Sequence, residues 1–146
     1  MGNRFKSIIL VSLQFLFILL LLSGISLKNI SLLTIIFILL SAVLMLWAIV
    51  SMKKSKLSIL PVPAANATLI TEGPYRFIRH PMYTAILLGS TGLLIQQFTW
   101  LRLAILIALS ITLYVKISWE EKMLSQKFDG YKNYMKQTKR IMPFII

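Results

Sequence analysis

ISLLTIIFILLSAVLMLWAIVSM, residues 30–52, is an unbroken apolar run without a single charge. At 1.5 Å per residue, a helix of this length crosses a hydrocarbon core of about 30 Å, so the run reads as a membrane span. Working outward, residues 7–27 form a second such run before it. Residues 82–98 and 100–118 follow as two slightly shorter ones, joined by Gln96-Gln97-Phe98-Thr99, which reads as a tight polar turn. The expectation is an all-α polytopic membrane protein of about four transmembrane helices, the last two forming a hairpin. Residues 53–81 hold four of the five prolines and polar side chains, so they form a loop at a surface or around a cavity.

Composition agrees with this solvent. The 146 residues are 58% hydrophobic and 14% charged, with a net charge of +12. A chain of this length is one domain, with no room for a soluble module once the spans are subtracted. There is no cysteine, which excludes disulfides, thiolate metal sites and cysteine nucleophiles. One histidine and four carboxylates make a metal centre built by protein ligands alone improbable. Hard chemistry therefore has to come from a bound cofactor or cosubstrate.

Charge sets an expected orientation. Fourteen of the sixteen basic residues flank the runs on one side, leaving only Lys28 and Arg102 at the two short turns. Cytoplasmic flanks carry the Lys/Arg excess, so both termini, the loop 53–81 and the tail 119–146 are expected on the cytoplasmic face. The same charge attracts anionic lipid, and no soluble basic face is left for nucleic acid. Arg4 and Lys6 ahead of the first run look like the start of a signal peptide, but its apolar core exceeds the usual length of roughly 7–15 residues, and a retained span is expected. Met1-Gly2 opens like a myristoylation site, yet Lys6 stands where Ser or Thr is required.

Two polar clusters stand against the apolar background. Gly73-Pro-Tyr-Arg-Phe-Ile-Arg-His-Pro-Met-Tyr83 packs two arginines, two prolines and the only histidine into the doorstep of the third run. Ionisable groups this close to lipid are costly and mark function by default. Glu120 and Glu121 sit where the fourth run leaves the bilayer, followed by apolar residues at 119, 123, 124, 128, 131, 134 and 135. That spacing predicts an amphipathic helix along the membrane face, broken near Asp129-Gly130. Adjacent residues on a helix point about 100° apart, so one carboxylate can reach a ligand while the other pairs with a basic neighbour.

LITEGPYRFIRHPMYTAILL and, downstream, EEKMLSQKFDGYKNYMKQTKRIMPFI together resemble the isoprenylcysteine carboxyl methyltransferase and phospholipid methyltransferase superfamily of integral membrane enzymes. The similarity covers roughly residues 61–144: the G-P-Y-R-x-x-R-H-P-x-Y box, a membrane hairpin, then the E-E pair with a basic tail ending in proline. It implies S-adenosylmethionine bound between the box and the carboxyl-terminal segment, and a lipid or lipidated small-molecule or peptide acceptor taken from the bilayer.

On this reading Glu120 or Glu121 binds the cosubstrate ammonium or a ribose hydroxyl through charge-assisted bonds. Arg79 or His80 holds its carboxylate. Pro81 restricts the backbone of His80 and so fixes the imidazole direction. Tyr75 and Tyr83 suit an interface belt, and the resemblance places Tyr83 in the cosubstrate pocket. Leu69, Ile70 and Thr71 offer an apolar shelf and backbone groups to adenine, and Gly73-Pro74 turns the chain back towards the membrane. Arg76 or Arg140 orients a carboxylate acceptor, and Glu121 or His80 would take the proton of an amine acceptor. Arg140 and Pro143 match the family's tail. Two other classes stay open: an NADPH-dependent membrane lipid reductase, whose similar box lacks the E-E tail, and a small four-helix transporter. The latter should carry an ionisable residue inside an early span, and the first two runs have none.

Overall fold

The computed structural model describes residues 2–26, 28–52 and 68–142, with side chains from Phe5 onward. Its helices are α1 (Gly2–Leu22), α2 (Leu32–Met52), α3 (Pro81–Gln96), α4 (Trp100–Lys127) and α5 (Tyr131–Gln137), with a 3-10 turn at Gly73–Arg76. The loop expected over 53–81 is thus described only from Thr68 onward, and Pro143 lies outside the described residues. The protein is an all-α membrane protein, as its apolar runs require.

Three described helices are long and apolar enough to cross a membrane: Phe5–Leu22, Leu32–Met52 and Trp100–Lys127. The expected third span, 82–98, is a shorter helix of 16 residues, about 24 Å long. Its ends are polar: Pro81 opens it directly after His80, and Gln96 closes it, so Gln97 and Phe98 belong to the turn. The fourth run and the expected amphipathic helix are one element, 28 residues and about 42 Å long, which carries Glu120 and Glu121 without interruption. The break falls at Asp129-Gly130, where α5 begins.

α3 lies along α2 through small residues. A Cβ on Gly89 would stand 2.9 Å from Ser41 Oγ, and one on Gly92 would stand 3.0 Å from Phe37 Cβ. Close backbone approach of this kind drives helix association where water is absent. It lets Ser41 Oγ donate to Ala85 O at 2.8 Å and Thr34 Oγ1 donate to Gly92 O at 3.3 Å.

α1 packs against α4 through a seam of period seven, since Ser7, Gln14 and Leu21 are its buried residues. Leu21 joins Leu109 and Leu113 in a core fully closed to solvent, against which Tyr83 and Ile86 of α3 pack.

The bundle end away from both termini is tied by polar side chains. Arg102, read from the sequence only as a far-side charge, is buried and donates to Leu21 O at 2.5 Å and Ser23 O at 2.7 Å. Leu21 lies in the last turn of α1 and Ser23 just beyond it, where the helix dipole favours a cation. Gln96 and Gln97 reach across to Ser26 and Ser31. Arg102→Met is expected to cost about 2–3 kcal/mol, since a hydrogen bond to a charged group contributes about 1.5–3 kcal/mol and the two here share one guanidinium. A lower melting temperature in detergent is the expected readout.

Candidate functional site

At the opposite end, the box folds as its residues dictate. Gly73 takes φ +60, a left-handed conformation, and lies so close to α2 that a Cβ would collide with Ser51 Oγ and stand 3.2 Å from Trp47 Nε1. Pro74 then starts the 3-10 turn, whose carbonyl accepts from Phe77 N and Ile78 N at 3.1 Å each. Tyr75 packs its ring with Ala48 of α2 and Ile70, and its carbonyl accepts from Tyr134 Oη of α5 at 2.6 Å. Burial pushes the Tyr134 phenol up to about 12, so it remains a protonated donor at neutral pH.

The next residues pair with the tail. Arg79 N donates to Lys139 O at 2.8 Å, His80 N to Arg140 O at 3.1 Å, and Lys139 N to Phe77 O at 3.1 Å, forming a parallel bridge between Ile78 and Lys139. Thr84 Oγ1 adds a bond to Ile141 O at 2.7 Å. His80 then caps α3 at φ −125, ψ 58, outside the helical region as Pro81 demands. The box and the tail, about sixty residues apart in sequence, become one rigid edge.

Against this edge α4 delivers its two carboxylates in different directions. Glu121, 4% exposed, accepts from Arg79 Nε at 2.7 Å and from Arg140 Nε at 3.0 Å, one oxygen to each arginine. Arg79 also donates to the carbonyls of Met135 and Thr138, which gather at the end of α5. Glu120 accepts from Tyr83 Oη at 2.5 Å and lies 3.7 Å from His80 Nδ1. The His80 and Tyr83 rings stack at 5.5 Å and 11°. His80 Nε2 is 3.5 Å from Glu121 Oε1, but the geometry makes no hydrogen bond, and this buried atom has no partner among the described residues. Beside the Arg79 pair opens a cleft of about 400 Å³ walled by Arg79, Met135 and residues 136–140, with Lys136, Lys139 and Arg140 at its rim.

Arg79, His80, Tyr83, Glu120, Glu121 and Arg140 are therefore brought together. Pro81 is buried at the start of α3, and Tyr75 and Ile70 pack against Ala48 of α2, with Leu69 half-buried. Arg76 is exposed on the 3-10 turn and, among the described residues, joins none of the ion pairs around Glu120 and Glu121.

Sequence reasoning missed Lys116, counted there as a flanking charge. It is 3% exposed and turns inward, donating to Gln14 Oε1 of α1 at 2.8 Å, with its ammonium 4.9 Å from the Tyr83 ring centre. The available signal was its place four residues before Glu120, on the same helical face. With Lys116, Arg79 and Arg140 against Glu120 and Glu121, the cluster holds three cations and two carboxylates. The arrangement offers a buried acid, a basic edge and an apolar floor at one end of the bundle.

Two curated relatives share 33% identity over 79 residues and 32% over 82 residues: the cobalt-zinc-cadmium resistance protein CzcN of Cupriavidus metallidurans and the nickel-cobalt-cadmium resistance protein NccN of Alcaligenes xylosoxydans xylosoxydans. Each alignment covers 53% of this chain and 37% of the relative, so the chain matches little more than a third of their length. The model of the isoprenylcysteine carboxyl methyltransferase (ICMT) family matches residues 32–126, from the start of α2 through the box and both glutamates. By that match, which takes in well over half of its residues, the chain belongs to the isoprenylcysteine carboxyl methyltransferase family.

Proposed function

We propose that the protein transfers a methyl group from S-adenosylmethionine to an acceptor held in the bilayer, with the box, α4 and the tail forming the cosubstrate site. The observation that carries this is the pairing of opposite charges in one buried place. S-adenosylmethionine presents an ammonium, a sulfonium, a carboxylate and an adenosine, and the residues present match the ammonium, the carboxylate and the adenosine. Glu121 is already held by two arginines. Glu120, bonded to one phenol, is the acid with capacity to accept from the ammonium or a ribose hydroxyl. Arg140, 29% exposed at the cleft, and His80 Nε2, without a partner among the described residues, are the donors suited to the carboxylate. Ile70, Leu69 and Tyr75 supply the apolar shelf.

The cosubstrate supplies an activated methyl on sulfur, so the chain needs to position rather than to activate. Orientation alone is worth about 7–11 kcal/mol in well-aligned intramolecular reactions. Arg79 anchors the tail and so fixes Arg140. Tyr83 and His80, stacked, fix the direction of Glu120. For a carboxylate acceptor no proton is removed, and Arg140 or Arg76 orients it. For an amine acceptor a base is needed, and Glu121, tied to two arginines, is poorly suited to that role. The acceptor, a lipid or lipidated molecule, enters sideways between helices, and the basic flanks put the site on the cytoplasmic face.

The relatives' names concern metal resistance in those proteins. Here the chain has no cysteine, and no group of three metal-binding side chains occurs among the described residues. The test is transfer of isotope-labelled methyl from S-adenosylmethionine into the lipid fraction by purified protein in native-lipid vesicles. Label appearing with wild type and reduced at least tenfold in His80→Ala supports the reading. Wild type that incorporates no label in vesicles carrying its native lipids would count against it.

A further inference from the structure

Lys116 is the one member of the cluster that no feature of the box explains. It lies among buried residues of α4, Thr112, Leu113 and Ile117, one turn before Glu120. Lysines near a membrane face normally extend their ammonium to water. Lys116 instead keeps it inside, and among the described residues no carboxylate oxygen comes within 4.0 Å of it. Its contacts are the Gln14 amide at 2.8 Å and the face of Tyr83 at 4.9 Å. A charge buried at this depth is costly and persists where it is used.

Tyr83 is the piece it acts on. The ring under the ammonium stacks on His80, and its hydroxyl reaches Glu120 at 2.5 Å. A cation over a desolvated aromatic ring is attracted to its face and favours one ring orientation over its alternatives. Lys116 also places a positive charge one turn from Glu120 on the same face. Resting on the cosubstrate site proposed above, we infer that Lys116 is a positioning residue for Glu120 and His80, acting through Tyr83. Gln14 holds Lys116 in place, which makes α1 part of the functional assembly. α1 lies outside the 32–126 family match. Its seam residue Gln14 joins the site to the first helix.

The experiment is a double-mutant cycle on the full chain in detergent, reading S-adenosylmethionine affinity by calorimetry alongside melting temperature. Lys116→Met is expected to weaken binding about tenfold, Gln14→Leu about threefold, and Lys116→Arg to recover most of the loss. Because Lys116 works through Glu120, adding Lys116→Met to Glu120→Gln should cost less than about twofold more, a coupling that independent sites do not show. A merely structural lysine would lower the melting temperature and give the same fold-loss in both backgrounds, and that result overturns the inference. Unchanged affinity in Lys116→Met overturns it as well. If Lys116→Met does not fold, the same cycle run with Gln14→Leu decides between coupled and additive losses. Absence of binding in well-folded wild type would instead overturn the cosubstrate reading, and this inference with it.

Discussion

Arg79→Met is expected to be the most damaging single substitution at the site, lowering stability by about 3–5 kcal/mol and abolishing measurable cosubstrate binding. Arg79 pairs with Glu121 at 2.7 Å and gathers the carbonyls of Met135 and Thr138. Removing one partner of a buried pair strands the other, and the loss is large for that reason rather than because the pair itself stabilises strongly. The carbonyls around α5 lose a donor in the same step. The double variant Arg79→Met with Glu121→Leu should therefore be less destabilised than the sum of the two singles, yet still fail to bind S-adenosylmethionine. Chemical denaturation in detergent gives the first quantity and calorimetry the second. Additive stability losses would show that the two side chains do not act as a pair.

Glu120→Gln carries the second large effect, and it separates binding from folding. Glutamine keeps the shape and an oxygen for Tyr83 Oη, so the stack of Tyr83 on His80 survives. What disappears is the negative charge offered to the cosubstrate ammonium. A charge-assisted bond contributes about 1.5–3 kcal/mol, which corresponds to about 10- to 150-fold in affinity. Melting temperature should move little. Equal affinity for wild type and Glu120→Gln would assign the ammonium to another group. Arg79 holds the cluster together, whereas Glu120 is the residue proposed to face the cosubstrate.

Much of this was legible in the residues. Uninterrupted apolar runs, with basic residues at their ends, announce α1, α2 and α4, because a chain in lipid must satisfy its backbone internally. Asp129-Gly130 announces the break before α5. The pairing of one of two adjacent glutamates with a basic neighbour follows from helical geometry alone, and Glu121 is that residue. The third run was bounded at Phe98 although Gln96-Gln97-Phe98-Thr99 also read as a polar turn, and the structure ends the helix at Gln96. Lys116 and Arg102 were misplaced because charge near the end of a run is ordinarily a flank. Only the opposing α1, with Gln14 at one level and the Leu21 carbonyl at another, turns them inward. The bond from Arg79 to α5 was invisible for a different reason: its acceptors are backbone carbonyls, which every residue has.

The most direct test of the central claim is equilibrium binding of S-adenosylmethionine to the detergent-purified protein, with NADPH as competitor and His80→Ala as control. The account predicts saturable binding that NADPH does not displace and that His80→Ala weakens by at least tenfold. Binding of NADPH in its place, or no binding of S-adenosylmethionine by well-folded wild type, would contradict it.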